Sequence, residues 1–264
     1  MKLVIDDNKK FDQFGNIFQN SSAINDQFNL QFNKDGLFMQ GFDKASICVI
    51  ETKLNAEWFS EYTYESDETS IIGMNIKTFY RILNTKQPGQ KMTLQYSEDD
   101  CDHLKIIFNG GSNKECKKDF KLALLEIDSA TMEIPDDEQD VEFVIEQTIF
   151  STNVDQLLMF DDNVNIKVDN DNIYMQTNGM DGIMDVTINT DNLEEFSSDE
   201  CEEGEKLLDQ NYALKYIKYM CNFSKVSKFL TIKISNERPF CCLYKIDDDK
   251  SKSYLRFYLA PKEA

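Results

Sequence analysis

The stretch over 124–140, LLEIDSATMEIPDDEQD, divides the chain into two lengths that read alike. Pro135 cannot sit inside a continuing helix and pushes Ile134 toward extended geometry, so the stretch reads as a bridge. Apolar spacing predicts helices over 8–19 and 75–84 before it and over 147–160 and 211–223 after it. The paired helices start 67 residues apart in the first half, 8 to 75, and 64 apart in the second, 147 to 211. Helix, strands, helix, strands, twice over, is an α+β pattern in which each helix pair covers one face of antiparallel sheet. The expected organisation is an N-terminal domain over 1–123, a connector over 124–140 and a C-terminal domain over 141–264.

The first helix gathers Phe11, Phe14, Ile17 and Phe18, with Lys9, Gln13 and Asn16 on another face. In the second, Ile76, Phe79, Tyr80 and Leu83 fall at i, i+3, i+4 and i+7, opposite Lys77, Arg81 and Asn84. Strands are expected over 28–32, 37–42 and 46–52 around an Asp35-Gly36 turn, then over 92–96, 103–109 and 119–123. In the second half Phe150, Val154, Leu157 and Leu158 share a face of the third helix, and strands follow over 164–168, 173–177 and 183–188. A charged loop is expected over 191–206. The fourth helix turns Leu214, Ile217 and Cys221 inward, and strands over 229–235, 240–246 and 253–259 close the chain.

Charge sorts by position. Lys plus Arg number 28 against 48 Asp plus Glu, a net charge of -20, which excludes a generally basic nucleic-acid or membrane-binding surface. The few cations are nevertheless gathered: Lys215, Lys218, Asn222 and Lys225 make a polar stripe on the last helix and its exit, Lys77 and Arg81 repeat it, and Lys9 and Lys10 add a third contribution. Seven cysteines with no C-x-x-C pair and a single histidine, His103, point to reduced thiols and away from zinc. No signal-peptide core and no membrane-length apolar run is found, so a soluble internal protein is expected. No phosphate loop or nucleophilic constellation is present, and Asp161, Asp162 and the acids over 247–249 lie where turns are expected. The reading is of no enzyme, no metal and no cofactor.

The chain's end, SYLRFYLAPK over 253–262 after RPFCCLYKID over 238–247, resembles the C-terminus of the proliferating cell nuclear antigen family of DNA sliding clamps. DGLFMQGFDKASICVIE at 35–51 resembles that family's front-face strand pair, GMNIKTFYRIL at 73–83 its second helix, and Ile134-Pro135 its interdomain connector. The resemblance covers essentially the whole chain, with weaker motifs over 147–210.

That resemblance implies a homotrimeric ring with helices lining a hole through which double-stranded DNA passes. The residues it implies against DNA are Lys9, Lys10, Lys77, Arg81, Lys215, Lys218 and Lys225, with Lys9 and Lys10 off register by a few residues. Partners such as a DNA polymerase, a clamp loader and others carrying a short motif are implied to bind Phe42, Ile47, Met132, Ile134, Pro239, Tyr258, Ala260 and Pro261, Phe42 being bulky for its place. Neighbouring chains are implied to join Phe120, Leu122 and Leu124 to Met184, Val186 and Ile188. The nucleus, or the replication compartment of a virus, is the implied location, and no membrane partner is. Two features depart from the family's pattern. The helix over 147–160 has no Lys or Arg and contains Asp155, and Asn170 stands where the eukaryotic clamps often carry a modified lysine. A subunit of a heterotrimeric checkpoint-type clamp is the alternative within the fold, and a metal-dependent enzyme using Asp161 and Asp162 is the alternative outside it.

Overall fold

The computed structural model describes residues 1–111, 117–128, 131–134, 139–198, 207–247 and 252–262. Pro135, Cys116, Cys201, the acids at 248 and 249 and the loop over 199–206 lie outside the described residues. The first half runs β1 (Lys2–Ile5), α1 (Asn8–Ser21), β2 (Gln27–Asn33), β3 (Gly36–Phe42), β4 (Cys48–Asn55), β5 (Glu61–Thr63), β6 (Ser70–Asn75), α2 (Ile76–Leu83), β7 (Gln90–Gln95), β8 (His103–Gly110) and β9 (Lys118–Ala123). The second runs β10 (Val141–Glu146), α3 (Gln147–Leu157), β11 (Asn163–Val168), β12 (Asn172–Gly179), β13 (Gly182–Asn189), β14 (Glu195–Ser198), β15 (Leu208–Ala213), α4 (Leu214–Met220), β16 (Phe229–Ile234), β17 (Phe240–Lys245) and β18 (Tyr254–Leu259).

These elements form two compact units. Unit one holds Met1–Lys44, Ile50–Met132 and Ile246–Leu255, and unit two holds Ala45–Val49, Glu133–Lys245 and Arg256–Ala264. Unit one contains the sheet β5-β1-β7-β8-β9 and the neighbours β6-β2-β3-β4. Unit two contains the neighbours β14-β10-β16-β17-β18 and the sheet β13-β12-β11-β15. Advancing every strand number of unit one by nine gives the order in unit two, so the repeat read from helix spacing is a repeat of topology.

The helices form where caps and apolar faces coincide. Asp7 accepts the Lys10 N–H at 2.8 Å to start α1, and Asn75 accepts the Thr78 N–H at 2.9 Å to start α2. Phe14, Phe18 and Phe79 are fully buried, and Phe79 of α2 meets Phe18 of α1 edge to face, centroids 4.9 Å apart and rings at 88°. In unit two Phe150, Val154 and Leu157 of α3 and Leu214, Ile217 and Met220 of α4 are buried. The short α4 has its last carbonyls satisfied from outside: the Gln147 amide donates to Cys221 and the Tyr244 hydroxyl to Met220 at 2.7 Å. Cys221, the cap of α4, and Cys242 of β17 are both buried. Burial raises the Cys242 thiol well above its usual range and pushes Cys221 up to about 12. At the β2–β3 turn Gly36 takes φ +137°, and a Cβ there would lie 2.1 Å from the Leu54 carbonyl oxygen.

Several sequence expectations are corrected. Gln13 and Asn16 of α1, read as an outward polar face, are buried, Gln13 in a hollow beside Asn55, Glu57 and Trp58. Residues 211–213 belong to β15, where Tyr212 is buried opposite Val164, so the fourth helix starts at Leu214. The third helix ends at Leu157, with half-buried Leu158 as its cap. Within the expected charged loop, β14 pairs with β10, matching Phe196 to Phe143. The short strands β1, β5, β6 and β10, which no pattern had signalled, complete the sheets.

Candidate functional site

Three groups of residues are candidates for the expected function, and each rests on its own elements. The first is the set of cations. Lys9 is exposed at the start of α1, and Lys10 is half-buried, its Nζ donating to the Trp58 carbonyl at 2.6 Å and lying 5.6 Å above the Trp58 ring. Lys77 and Arg81 stand exposed on α2, where Lys77 Nζ is 2.8 Å from Asp26 Oδ1. On α4 Lys215 is exposed over the Tyr216 ring at 4.7 Å, and half-buried Lys218 places Nζ 2.5 Å from Asp155 Oδ1 of α3. Lys225 is exposed beyond the helix. Among the described residues, Lys9, Arg81 and Lys225 form no ion pair. The exposed face of α3 consists of Thr148, Ile149, Thr152, Asp155 and Gln156, with no cation.

The second group is the connector. Its described part, through Met132, is laced to unit one by a row of side-chain amides that the sequence reading missed. Asn29 Nδ2 donates to the Ile127 carbonyl at 3.0 Å, and Gln31 Nε2 to Thr131 Oγ1 at 2.6 Å. Gln40 grips Met132 from both sides, Oε1 accepting its N–H at 2.7 Å and Nε2 donating to its carbonyl at 2.8 Å. The same Nε2 reaches buried Glu51 Oε2 at 3.1 Å, and Glu51 Oε1 accepts from the Tyr254 hydroxyl at 2.6 Å. Leu125 donates its N–H to the Gly73 carbonyl at 2.8 Å, and a Cβ on Gly73 would lie 2.3 Å from the Leu125 carbonyl oxygen. The available signal was an excess of Asn and Gln at strand positions, where such residues pack poorly unless they find partners.

Of the residues expected to receive partners, Met132 in unit one is 51% exposed and Phe42 is half-buried. In unit two Ile47 is 40% exposed and its carbonyl accepts the Ala260 N–H at 3.1 Å, which brings these two together. Ala260, Pro261 and Pro239 are exposed, Ile134 is half-buried, and buried Tyr258 accepts from Arg256 Nη1 at 2.8 Å. Lys262 fastens the tail after Pro261 through its N–H to the Asn211 carbonyl at 2.8 Å and Nζ to Asn163 Oδ1 at 2.6 Å.

The third group lies on edge strands. β9 ends one sheet and β13 another, with no further partner strand among the described residues. Phe120 and Leu122 share a face of β9, with Leu124 just past its end, anchored by its N–H to the Asp102 carbonyl at 2.9 Å. Met184, Val186 and Ile188 share the half-buried face of β13, alternating with exposed Ile183, Asp185 and Thr187. Asp161, weighed as an acidic site, instead closes a turn by accepting the Asn163 N–H at 2.7 Å. Among the described residues no group of three or more His, Cys, Asp or Glu is placed to hold a metal ion, and no helix is long and apolar enough to cross a membrane.

A duplicated α+β unit of nine strands and two helices, with a laced connector and free edges at β9 and β13, defines the DNA-clamp fold. Residues 14–131 match the family model described as proliferating cell nuclear antigen, N-terminal domain, and residues 133–262 match the corresponding C-terminal domain. The chain belongs to the proliferating cell nuclear antigen family. It is 28% identical over 235 residues to the proliferating cell nuclear antigen of Chaetomium thermophilum, covering 89% of this chain and 88% of that one. It is 27% identical over 234 residues to the "Probable DNA polymerase sliding clamp 2" of Paramecium bursaria Chlorella virus 1, covering 89% and 81%. It is 26% identical over 249 residues to "Proliferating cell nuclear antigen 1" of Plasmodium falciparum, covering 90% and 89%.

Proposed function

We propose that this chain is a non-catalytic, homotrimeric sliding clamp that encircles duplex DNA without reading its sequence and tethers a DNA polymerase to it. The observation that carries the reading is the sorting of charge: in a chain of net charge -20, exposed cations recur on the helices of both units, at Lys9, Lys77, Arg81, Lys215 and, past α4, Lys225. Such cations suit loose neutralisation of phosphates, while the acidic remainder repels other DNA. Lys10 and Lys218 complete the set. Residues 1–123 and 141–264 act as the two clamp domains, with 124–140 as their connector. Neighbouring chains pair β9 with β13 through Phe120, Leu122, Leu124, Met184, Val186 and Ile188, which supplies each edge with its missing strand. A clamp loader and proteins carrying a short motif bind at Phe42, Ile47, Met132, Ile134, Pro239, Tyr258, Ala260 and Pro261. The clamp needs no cofactor and works in the nucleus or in a viral replication compartment.

Light scattering on the purified chain tests the ring: three chains of 30.7 kDa give 3 × 30.7 = 92.1 kDa. Primer extension on a singly primed circular template, with loader and polymerase, tests the tether, and longer products are expected when the clamp is added. A stable monomer at micromolar concentration would overturn the homotrimer and favour a heterotrimer. Unchanged product length from a ring of the right mass would overturn the polymerase role.

A further inference from the structure

Two of the helix lysines already hold a carboxylate. Lys77 Nζ sits 2.8 Å from Asp26 Oδ1 and 2.9 Å from Oδ2, and Lys218 Nζ sits 2.5 Å from Asp155 Oδ1. The two pairs are not copies produced by the internal repeat. Asp26 lies just before β2 and its carbonyl accepts the Ile76 N–H at the start of α2. Its counterpart in unit two is Asp162, whose carbonyl accepts the Leu214 N–H at the start of α4. Lys77 and Lys215 are likewise counterparts, each the second residue of its helix. Yet Lys215 lies over an aromatic ring, and the occupied lysine of unit two is Lys218, held from a different helix. Each unit therefore neutralises one cation of its helix pair by its own route.

The Lys218 pair lies where the family's helix would be basic by resemblance and where the exposed face of α3 here carries Asp155, Gln156, two threonines and Ile149 but no cation. Its side chains are 32% and 52% exposed, so a phosphate approaching the ammonium competes with a carboxylate that is itself open to water. An exposed pair of this kind adds little to the fold, so stability alone gives little reason for it. Its effect on a polyanion is larger. A lysine that exchanges a carboxylate for a phosphate gains little, and the displaced carboxylate remains beside the DNA as a repelling charge.

We propose that Asp155 is a built-in competitor for DNA phosphate at Lys218, an affinity-setting residue that keeps the α3–α4 pair from gripping the duplex. The proposal rests on the clamp reading and adds how firmly each helix pair holds DNA: unit two contributes through Lys215 and Lys225, and Lys218 is kept in reserve.

The test is a double-mutant cycle on the assembled ring, reading the affinity for a short blunt duplex by fluorescence anisotropy at several salt concentrations. Asp155→Asn is expected to tighten binding and to steepen the fall of log affinity with log salt by about 0.9 for each lysine engaged, an extra loss of about threefold between about 50 and about 200 mM salt. In a Lys218→Gln background the same Asp155→Asn change is expected to lose most of that effect. If Asp155→Asn acts equally with and without Lys218, the carboxylate only repels DNA at a distance and the proposal is overturned. If Asp155→Asn has no effect while Arg81→Gln and Lys225→Gln weaken binding, the proposal falls and the clamp reading stands. If Arg81→Gln and Lys225→Gln also leave duplex binding unchanged, the clamp's assigned DNA surface falls with it. Ring mass and thermal unfolding, measured for each variant, separate these outcomes from loss of fold.

Discussion

Replacing Gln40 by methionine keeps the length of an unbranched side chain and removes its amide. Three hydrogen bonds go with it: two to Met132, at 2.7 and 2.8 Å, and one to Glu51 Oε2 at 3.1 Å. Met132 is 51% exposed, so water can take over its backbone groups and no unpaired donor is left there. Two net hydrogen bonds are then lost from the connector, at about 0.5–1.5 kcal/mol each, or about 1–3 kcal/mol together. Glu51 is 7% exposed and keeps only its bond from Tyr254, so a further cost of about 1–3 kcal/mol falls on global stability. Hydrogen exchange reads the two effects apart. The Met132 amide is expected to exchange about fivefold to a hundredfold faster through local opening, following the factor of ten per 1.4 kcal/mol. Slowly exchanging amides of the sheet should shift only with the global loss. A fluorescent peptide carrying a clamp-binding motif should bind more weakly to the variant, because the loosened segment must be ordered again on binding. An unchanged Met132 exchange rate in a folded variant would refute the claim that Gln40 positions the connector.

Lys77→Glu combined with Arg81→Glu is expected to weaken clamp loading and sliding while light scattering still reports the ring, and failure of the ring to form would remove these residues from the DNA surface. Phe79→Ala, which deletes a fully buried ring packed on Phe18, is expected to cost about 3–5 kcal/mol, seen as a lower urea midpoint with little change in slope; a loss below about 1 kcal/mol would show that the α1–α2 aromatic contact is not part of the core. Alkaline pH should destabilise the protein. The Cys221 and Cys242 thiols are held neutral by burial, so their contribution is intact below about pH 9 and is lost as pH rises toward the folded value, about 12 for Cys221. The unfolding free energy should therefore fall above pH 9 by up to about 1.4 kcal/mol per unit for each thiol. Cys242→Ala should flatten that fall, and an identical pH profile in the variant would count against the thiol as its source.

The parts of this fold that were legible in sequence are those where apolar residues set the period unaided. The helix carrying Phe79 was readable because its apolar stripe is buried, Phe79 against Phe14 and Phe18 of α1, while Lys77 and Arg81 face water. The Asp35-Gly36 turn was readable because only glycine accepts the backbone angle found there. β14, with sequence EFSS, and β15, with LDQNYA, carry too few alternating apolar residues to signal a strand, and their pairing to β10 and β11 decides them. Gln13 and Asn16 misled because polarity was taken as exposure, whereas both are buried, Gln13 beside Trp58. At the candidate site the cations could be sorted by helix face, but whether each was already engaged could not. The Lys218–Asp155 pair joins two helices far apart in sequence, and only the repeat, which sets α3 beside α4 as α1 is set beside α2, pointed toward such a meeting.

The amide lacing of the connector also has a mechanical meaning. In the proposed clamp, a polymerase attached at Met132 would pull on the connector each time it advances. The hydrogen bonds running from Met132 through Gln40 and Glu51 to Tyr254 would pass that tension into β3, β4 and Tyr254, all within unit one. The sheet would then share a tug that a free loop would have taken alone, and a partner bound as proposed could haul on the connector without peeling it from the protein.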